Sequence, residues 1–374
     1  MSSLYVHLPF CTRKCSYCGF YSISSLSLKT PFINALLTEI KNTTNYLPQR
    51  HLKTLYFGGG TPSLFTVIEL DAILNKIAKY YSFEKDIEVT IEVNPERLTL
   101  EYLKMLKKLG INRLSIGIQS FNDAILHFLH RQHSAKSAEN AIKNALLADF
   151  ENISIDLIYG ITERSEEMWK DDLKMAFSYP IQHFSAYALT VEENTLLKKR
   201  IEKGLVDEVD DTHAVRDFYI LLEMSEKEGF EQYEISNFAK SNFISKHNFS
   251  YWQQMPYLGV GPSAHSYNLS SRKWNIANVA QYITLIENNE PFYEEEVLTV
   301  EEHYNEYILL RLRTNEGVDL ELLEKQFGAE KKEWVLEKIE AIDAENYTFN
   351  NNIIRLTNRG KLWADDIAMT LFAE

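Results

Sequence analysis

Cys11, Cys15 and Cys18 are the three cysteines of the chain, and they fall within eight residues of one another. An odd number so closely set, with no export signal ahead of it, argues against a disulfide framework and for metal or cluster ligation. Spaced C-x3-C-x2-C, they supply three thiolates from one loop. That suits three irons of a [4Fe–4S] cube and leaves the fourth iron free for a small chelating molecule. The plainer alternative is a zinc site borrowing a histidine such as His7, although structural zinc ligands usually come as two pairs.

Other residues in the first half of the chain have chemistry to offer. Gly58-Gly59-Gly60-Thr61-Pro62 lets the backbone approach a ligand closely, and Thr61 adds a hydroxyl. Glu92 ends an apolar run with a carboxylate, Asp156 interrupts another, and a buried carboxylate needs a partner. Arg131 lies 12 residues beyond Gln119, and its guanidinium can grip a carboxylate bidentately. Taken singly, each has a bland reading: a turn, a carboxylate facing water, an exposed arginine.

What gives them weight is the pattern of elements that would hold them. Short β-branched and aromatic runs alternate with segments of helical period, as in βα units around a parallel sheet. Six strands are expected: Leu4–Leu8, Thr54–Phe57, Ile87–Val93, Arg113–Ile118, Ile153–Tyr159 and His183–Leu189. Amphipathic stretches such as Ile68–Tyr80 and Leu100–Leu109 lie between them, the second stopped by Gly110. The cysteines, the glycine run, Glu92, Gln119 and Thr190 all fall at strand ends, with Asp156 inside the fifth strand. In barrels of parallel strands, function gathers at the C-terminal ends.

The expected fold class is therefore α/β, an open, partial (β/α)6 TIM-like barrel over residues 1–200. Residues 201–298 would close it, through a helix near Asp210–Lys227 and the aromatic, glycine-rich segment Tyr233–Tyr267. Residues 299–374 read as three helices, a hairpin through Asn350–Asn352 and a last helix after Thr357, a small winged-helix-like unit. With 16 acidic and 9 basic residues from Glu301 onward, that unit is expected to pack or meet a protein partner, with no nucleic acid bound.

Composition agrees with this picture. The 374 residues are 45% hydrophobic and 25% charged, as in ordinary globular chains. Thirty-nine basic against 53 acidic residues give a net charge of −14, which disfavours a general polyanion-binding surface. No apolar run approaches the roughly 18 residues that cross a bilayer. A cytoplasmic location follows, with peripheral membrane association compatible.

The cysteine spacing resembles that of the radical S-adenosylmethionine (SAM) superfamily, and the segment Gly59-Gly60-Thr61-Pro62 is similar to its GGTP motif. The resemblance implies that the open iron is chelated by the amino and carboxylate groups of SAM. A reduced cluster would then cleave SAM to methionine and a 5′-deoxyadenosyl radical. Within the superfamily, Arg113–Phe121, Asp156–Gly160, Tyr233–Phe238 and Tyr257–Pro262 resemble signature segments of the branch that holds oxygen-independent coproporphyrinogen III dehydrogenases and heme chaperones. That likeness carries Tyr5, Gly59, Gly60, Thr61, Glu92, Gln119, Arg131 and Asp156 onto SAM-contacting positions, with Tyr17 and Thr190 near them.

Two departures point away from the dehydrogenases. They carry a fourth cysteine two residues after the third, where this chain has Phe20, and an N-terminal extension, where four residues precede Tyr5 here. His247-Asn-Phe-Ser-Tyr251-Trp252 matches the H-N-x-x-Y-W motif of the chaperone branch. There an imidazole would ligate heme iron, Tyr251 and Trp252 would face the macrocycle, and Lys246 would meet a propionate. The plainer reading makes His247 a hydrogen-bonded core residue. The expected function is a [4Fe–4S] protein that binds heme and transfers it to an acceptor protein, membrane-bound or not, with a separate reductant protein. Decarboxylation of coproporphyrinogen III in porphyrin biosynthesis is the alternative. The resemblance assigns no catalytic residue and does not decide between enzyme and binding protein.

Overall fold

The computed structural model describes residues 2–208 and 210–373. Six parallel strands lead: β1 (Ser2–Leu8), β2 (His51–Gly59), β3 (Ser82–Val93), β4 (Arg113–Gln119), β5 (Asn152–Tyr159) and β6 (His183–Ala188). They lie side by side in chain order, which right-handed βα crossovers produce. Helices between them start where a side chain can cap them: Thr66 with Glu69 as a full capping box, then Thr99, Asn122, Ser134 and Ser165. Gly110 ends the helix Leu100–Lys108 at φ +90°, the conformation its lack of a Cβ permits.

Strand alternation sorts the sheet into two unlike faces. One carries Leu55, Phe57, Val89, Ile91, Leu114, Ile116, Ile153, Ile155 and Phe184, all buried under the helices as the main apolar core. The other carries Thr54, Tyr56, Glu88, Glu92, Arg113, Ser115, Ser154, Asp156, His183 and Ser185, in register across neighbouring strands. This lumen is lined by polar groups that bond to one another: Tyr56 donates to Glu92 (3.0 Å), Ser115 to Asp156 (3.2 Å), Ser185 to Asn237 (2.7 Å), and Ser154 pairs with His183 (2.7 Å).

The sheet continues past the six expected strands. On the β6 side, β7 (Glu231–Glu234) and β8 (Asn237–Ala239) add antiparallel. On the β1 side, β9 (Tyr257–Val260) pairs parallel to β1 as a seventh parallel strand, followed antiparallel by β10 (His265–Tyr267), β11 (Ser271–Asn275) and β12 (Tyr293–Val297). Sequence reasoning placed Tyr257–Val260 in an aromatic, glycine-rich segment and did not give it as a strand. Four residues containing a glycine make a weak strand signal, yet a Cβ on Gly259 would stand 2.1 Å from the His265 carbonyl oxygen. The apolar core runs from Leu4 to Ile286, so residues 201–298 share the core of the strands before them.

A second core, from Tyr304 to Leu371, belongs to the C-terminal helices and the small antiparallel sheet of β13 (Val318–Asp319), β14 (Tyr347–Asn350) and β15 (Ile353–Leu356). Asn351 and Asn352, at φ +53° and +60°, make the tight hairpin turn. This unit is joined to β7 by backbone bonds from Ile235 N–H to the Arg313 carbonyl and from Asn315 N–H to the Tyr233 carbonyl, 3.0 Å each. No helix among the described residues is long and apolar enough to cross a membrane.

Candidate functional site

The cysteine loop leaves the end of β1 and returns at a bridge between Phe10 and Ile23, where Cys11 N–H bonds the Ile23 carbonyl (2.9 Å). Ser16, fully buried, anchors its middle: its N–H bonds the Leu129 carbonyl (3.3 Å), and its carbonyl accepts from Leu197 N–H (2.7 Å). All three thiols are free and half-buried. Burial pushes the Cys11 and Cys18 thiols up, and each feels the charge of Cys15. The Thr61 hydroxyl points at Cys11 Sγ (3.6 Å) and the Arg131 guanidinium at Cys15 Sγ (3.5 Å).

Around this loop the structure gathers most of the residues singled out above. The glycine run docks under it: Gly60 N–H bonds the Leu8 carbonyl (2.9 Å), Thr61 N–H the Phe10 carbonyl (2.8 Å), and Gly59 N–H the Glu92 carboxylate (3.0 Å). The run's carbonyl oxygens are the groups that can accept from an ammonium. A Cβ would meet Phe10 backbone at 2.6 Å from Gly60 and the His7 ring at 2.7 Å from Gly59, so close packing alone demands these glycines. Burial first, then the charge of Asp156, pushes Glu92 up to about 7. Burial also raises Asp156 to about 6, against the hydroxyls of Ser185 and Ser115, which favour its charge.

Arg131 supplies the countercharge. One guanidinium nitrogen donates to Asn94 Oδ1 (2.8 Å) and the Gly117 carbonyl (2.7 Å), and its buried Nε has no partner among the described residues. Asn94 in turn donates to Thr61 Oγ1 (3.0 Å). Gln119, at φ +67° where the β4–β5 register slips, and Tyr17, within the electrostatic reach of Arg131, Cys15, Cys18 and Asp156, complete this side. Tyr5 donates to His7 Nδ1 (3.0 Å), because His7 Nε2 carries the proton given to the Tyr21 carbonyl (3.0 Å).

The sequence did not signal the linking roles of Asn94, Tyr56 and His7. Asn94 sits two residues after Glu92, hence on the same face, and the period of two was the available clue.

Some expected residues lie elsewhere. Thr190 is exposed beyond the end of β6 and bonds Glu192 (3.4 Å), whose side chain would stand 3.0 Å from a Cβ on Gly19 of the cysteine loop. His247, offered as an iron ligand or as a hydrogen-bonded core residue, lies on the buried polar face of the sheet. Its ring is 1% exposed, with Nδ1 held by Thr54 Oγ1 (2.7 Å) and Nε2 by the Tyr251 hydroxyl (2.8 Å). Stacked on Tyr56 at 4.9 Å, it plugs the lumen as a satisfied core histidine, and burial lowers it to about 3. Lys246 reaches the Asp86 carbonyl (3.4 Å), on the part of β3 far from Glu92, and Trp252 is half-buried in the same helix, Lys246–Trp252. Phe249 and Ser250 of the motif, with Lys246, line one cavity, while Tyr251 faces a separate one on the β1 side.

That cavity, of about 430 Å³, opens beside the cysteine loop, between β1, the β9–β11 extension and the C-terminal unit. Tyr5, Phe20, Tyr251, Tyr257, Tyr267 and His265 are among the side chains around it.

The donor set suits the iron–sulfur cube that the spacing suggests. Three thiols come from one anchored loop, a cation stands at one of them, and a buried guanidinium N–H awaits an acceptor. Among the described residues, no three His, Cys, Asp or Glu side chains converge closely enough to hold a single metal ion.

Comparison with known proteins agrees. Residues 5–176 match the model of the radical SAM superfamily, whose cofactors are a [4Fe–4S] cluster and SAM, and residues 298–363 match the HemN C-terminal domain. The heme chaperone HemW of Bacillus subtilis is 33% identical over 372 residues, 98% of each chain. That of Lactococcus lactis is 31% identical, over 96% of this chain and 94% of its own. Coproporphyrinogen III oxidase (HemN) from Escherichia coli, described as a radical SAM enzyme, superposes with a TM-score of 0.86 at 21% identity. The match spans all of this chain and 90% of that one, a likeness of fold. The chain belongs to the radical SAM superfamily and, within it, to the family of the heme chaperone HemW.

Proposed function

We propose that this protein is a heme chaperone: it binds heme beside a [4Fe–4S] cluster and SAM and hands the heme to an acceptor protein, at a membrane surface or free of it. The observation that carries this reading is likeness to heme chaperones along the whole chain, at 33% identity over 98% of both partners. The open aromatic cavity beside the cysteine loop supports it, since a flat apolar macrocycle needs such walls.

In this reading Cys11, Cys15 and Cys18 hold three irons. A cluster with SAM supplies one-electron chemistry, for which a reductant protein would be the source of electrons. Arg131 faces the SAM carboxylate with its unpartnered Nε, and carbonyls of the Gly59–Gly60 turn accept from the ammonium. Glu92, Asp156, Thr61, Gln119, Tyr5 and Tyr17 line the rest of that site. Thr190, bonded to Glu192 where that side chain meets Gly19, borders it. The proposed division of labour is a barrel over 1–200, a closing segment over 201–298 and a winged-helix-like unit over 299–374 that meets a protein partner.

The test is a heme titration of anaerobically reconstituted protein beside a coproporphyrinogen III turnover assay. Saturable heme binding without protoporphyrinogen product is expected. Product without a heme band would replace this reading with the oxidase.

A further inference from the structure

Heme needs an iron ligand, flat apolar walls and cations for its two propionates, and a chaperone must hold it where an acceptor can reach it. His247, inside the lumen with both ring nitrogens engaged, offers none of that access. His265, on β10, does. Its ring is exposed, makes no hydrogen bond among the described residues, and stacks on Trp274 with centroids 6.4 Å apart. It borders the cavity of about 430 Å³ in company with Tyr257 and Tyr267, whose rings lie 6.3 Å apart.

Arg272 stands over the Tyr267 ring at 5.8 Å and pairs with Glu306 (2.6 Å), while its Nε is buried without a partner. Glu306 therefore leaves one guanidinium donor uncommitted. Partial enclosure, then the charge of Arg272, lowers His265, which favours the neutral imidazole that binds iron. Phe20 and Tyr21 of the cysteine loop line the same cavity. Phe20 is 73% exposed, an uncovered aromatic face where an apolar ligand would be welcome.

We propose that this cavity is the heme-docking site, with His265 as the iron ligand, Tyr257, Tyr267 and Phe20 as its walls and Arg272 as the partner of a propionate. The proposal rests on the heme-chaperone reading and moves the ligand out of the motif that contains His247. Heme placed here touches the loop that carries the three cysteines and remains open to solvent on one side, as transfer to another protein requires.

The experiment titrates ferric heme into the reconstituted full-length protein, following the Soret band, for wild type, His265→Ala, His247→Ala and Arg272→Gln. Cluster absorption and the thermal midpoint of each variant report that it is folded. His265→Ala should shift the band and weaken binding at least about tenfold. Added imidazole should restore the wild-type band, which a merely structural role for His265 would not produce. Arg272→Gln should weaken heme binding without moving the band, and should bind heme dimethyl ester, which has no free propionates, as wild type does. His247→Ala should keep the wild-type band. Unchanged binding by His265→Ala, or loss of the band in His247→Ala with retention in His265→Ala, overturns the assignment and leaves the chaperone reading standing. A wild-type protein that binds no heme overturns both.

Discussion

Arg131 and Glu92 set the electrostatics of the pocket from opposite sides. Arg131 already gives hydrogen bonds to Asn94, Gly117 and Cys15 and keeps one buried donor in reserve. Arg131→Ala is expected to weaken SAM binding about tenfold or more while the cluster's visible absorption persists, since no iron ligand is lost. Equilibrium dialysis with labelled SAM measures this, and unaltered affinity would remove Arg131 from the site. Glu92 makes a prediction in pH. Its folded value of about 7 lies above the ~4.3 of a free glutamate, so the folded chain binds this proton more tightly than the unfolded one. That contribution is whole below pH ~4.3 and is lost as pH rises towards 7. In protein without SAM, Glu92→Gln should match wild type at pH ~4 and exceed it above pH 7, by roughly 1–3 kcal/mol. Chemical denaturation across pH measures it; a difference that stays flat would show that the carboxyl is neither buried nor crowded by Asp156.

The glycine turn is where one element depends most sharply on another. A Cβ on Gly60 would intrude on the Phe10 backbone, which starts the cysteine loop and cannot yield as a flexible side chain could. Gly60→Ala should cost about 1–3 kcal/mol and reduce the iron bound per chain. Gly110→Ala, with open space around its Cβ, should cost only the strain of its positive φ, about 1 kcal/mol, and leave iron content unchanged. Equal iron loss in both would mean that the turn does not position the loop. The six barrel strands and their order were legible in the sequence because each is a short β-branched or aromatic run between stretches of helical period, and β9 was not because it is four residues long. The cysteine loop was legible because its chemistry is local. The lodging of His247 was not, because Thr54, which holds it, is 193 residues away in the chain.

At the scale of the molecule, the C-terminal unit continues the sheet's hydrogen bonding at β7 through Arg313 and Asn315, and its helix Val300–Leu312 borders the cavity at Leu310. Ending the chain after residue 298 should lower the thermal midpoint of what remains and increase its binding of a hydrophobic dye, since the edge of β7 and the cavity wall lose their cover. A truncated chain that melts where the full one does would show that the two units stand side by side without supporting each other. The β12 edge is guarded differently, by three exposed glutamates that discourage another strand from adding there. The polar lining of the lumen has its own outcome. Tyr56 with Glu92, Ser115 with Asp156 and Ser154 with His183 are bonded pairwise across neighbouring strands, so these polar side chains tie the strands together from within as the apolar core does from without.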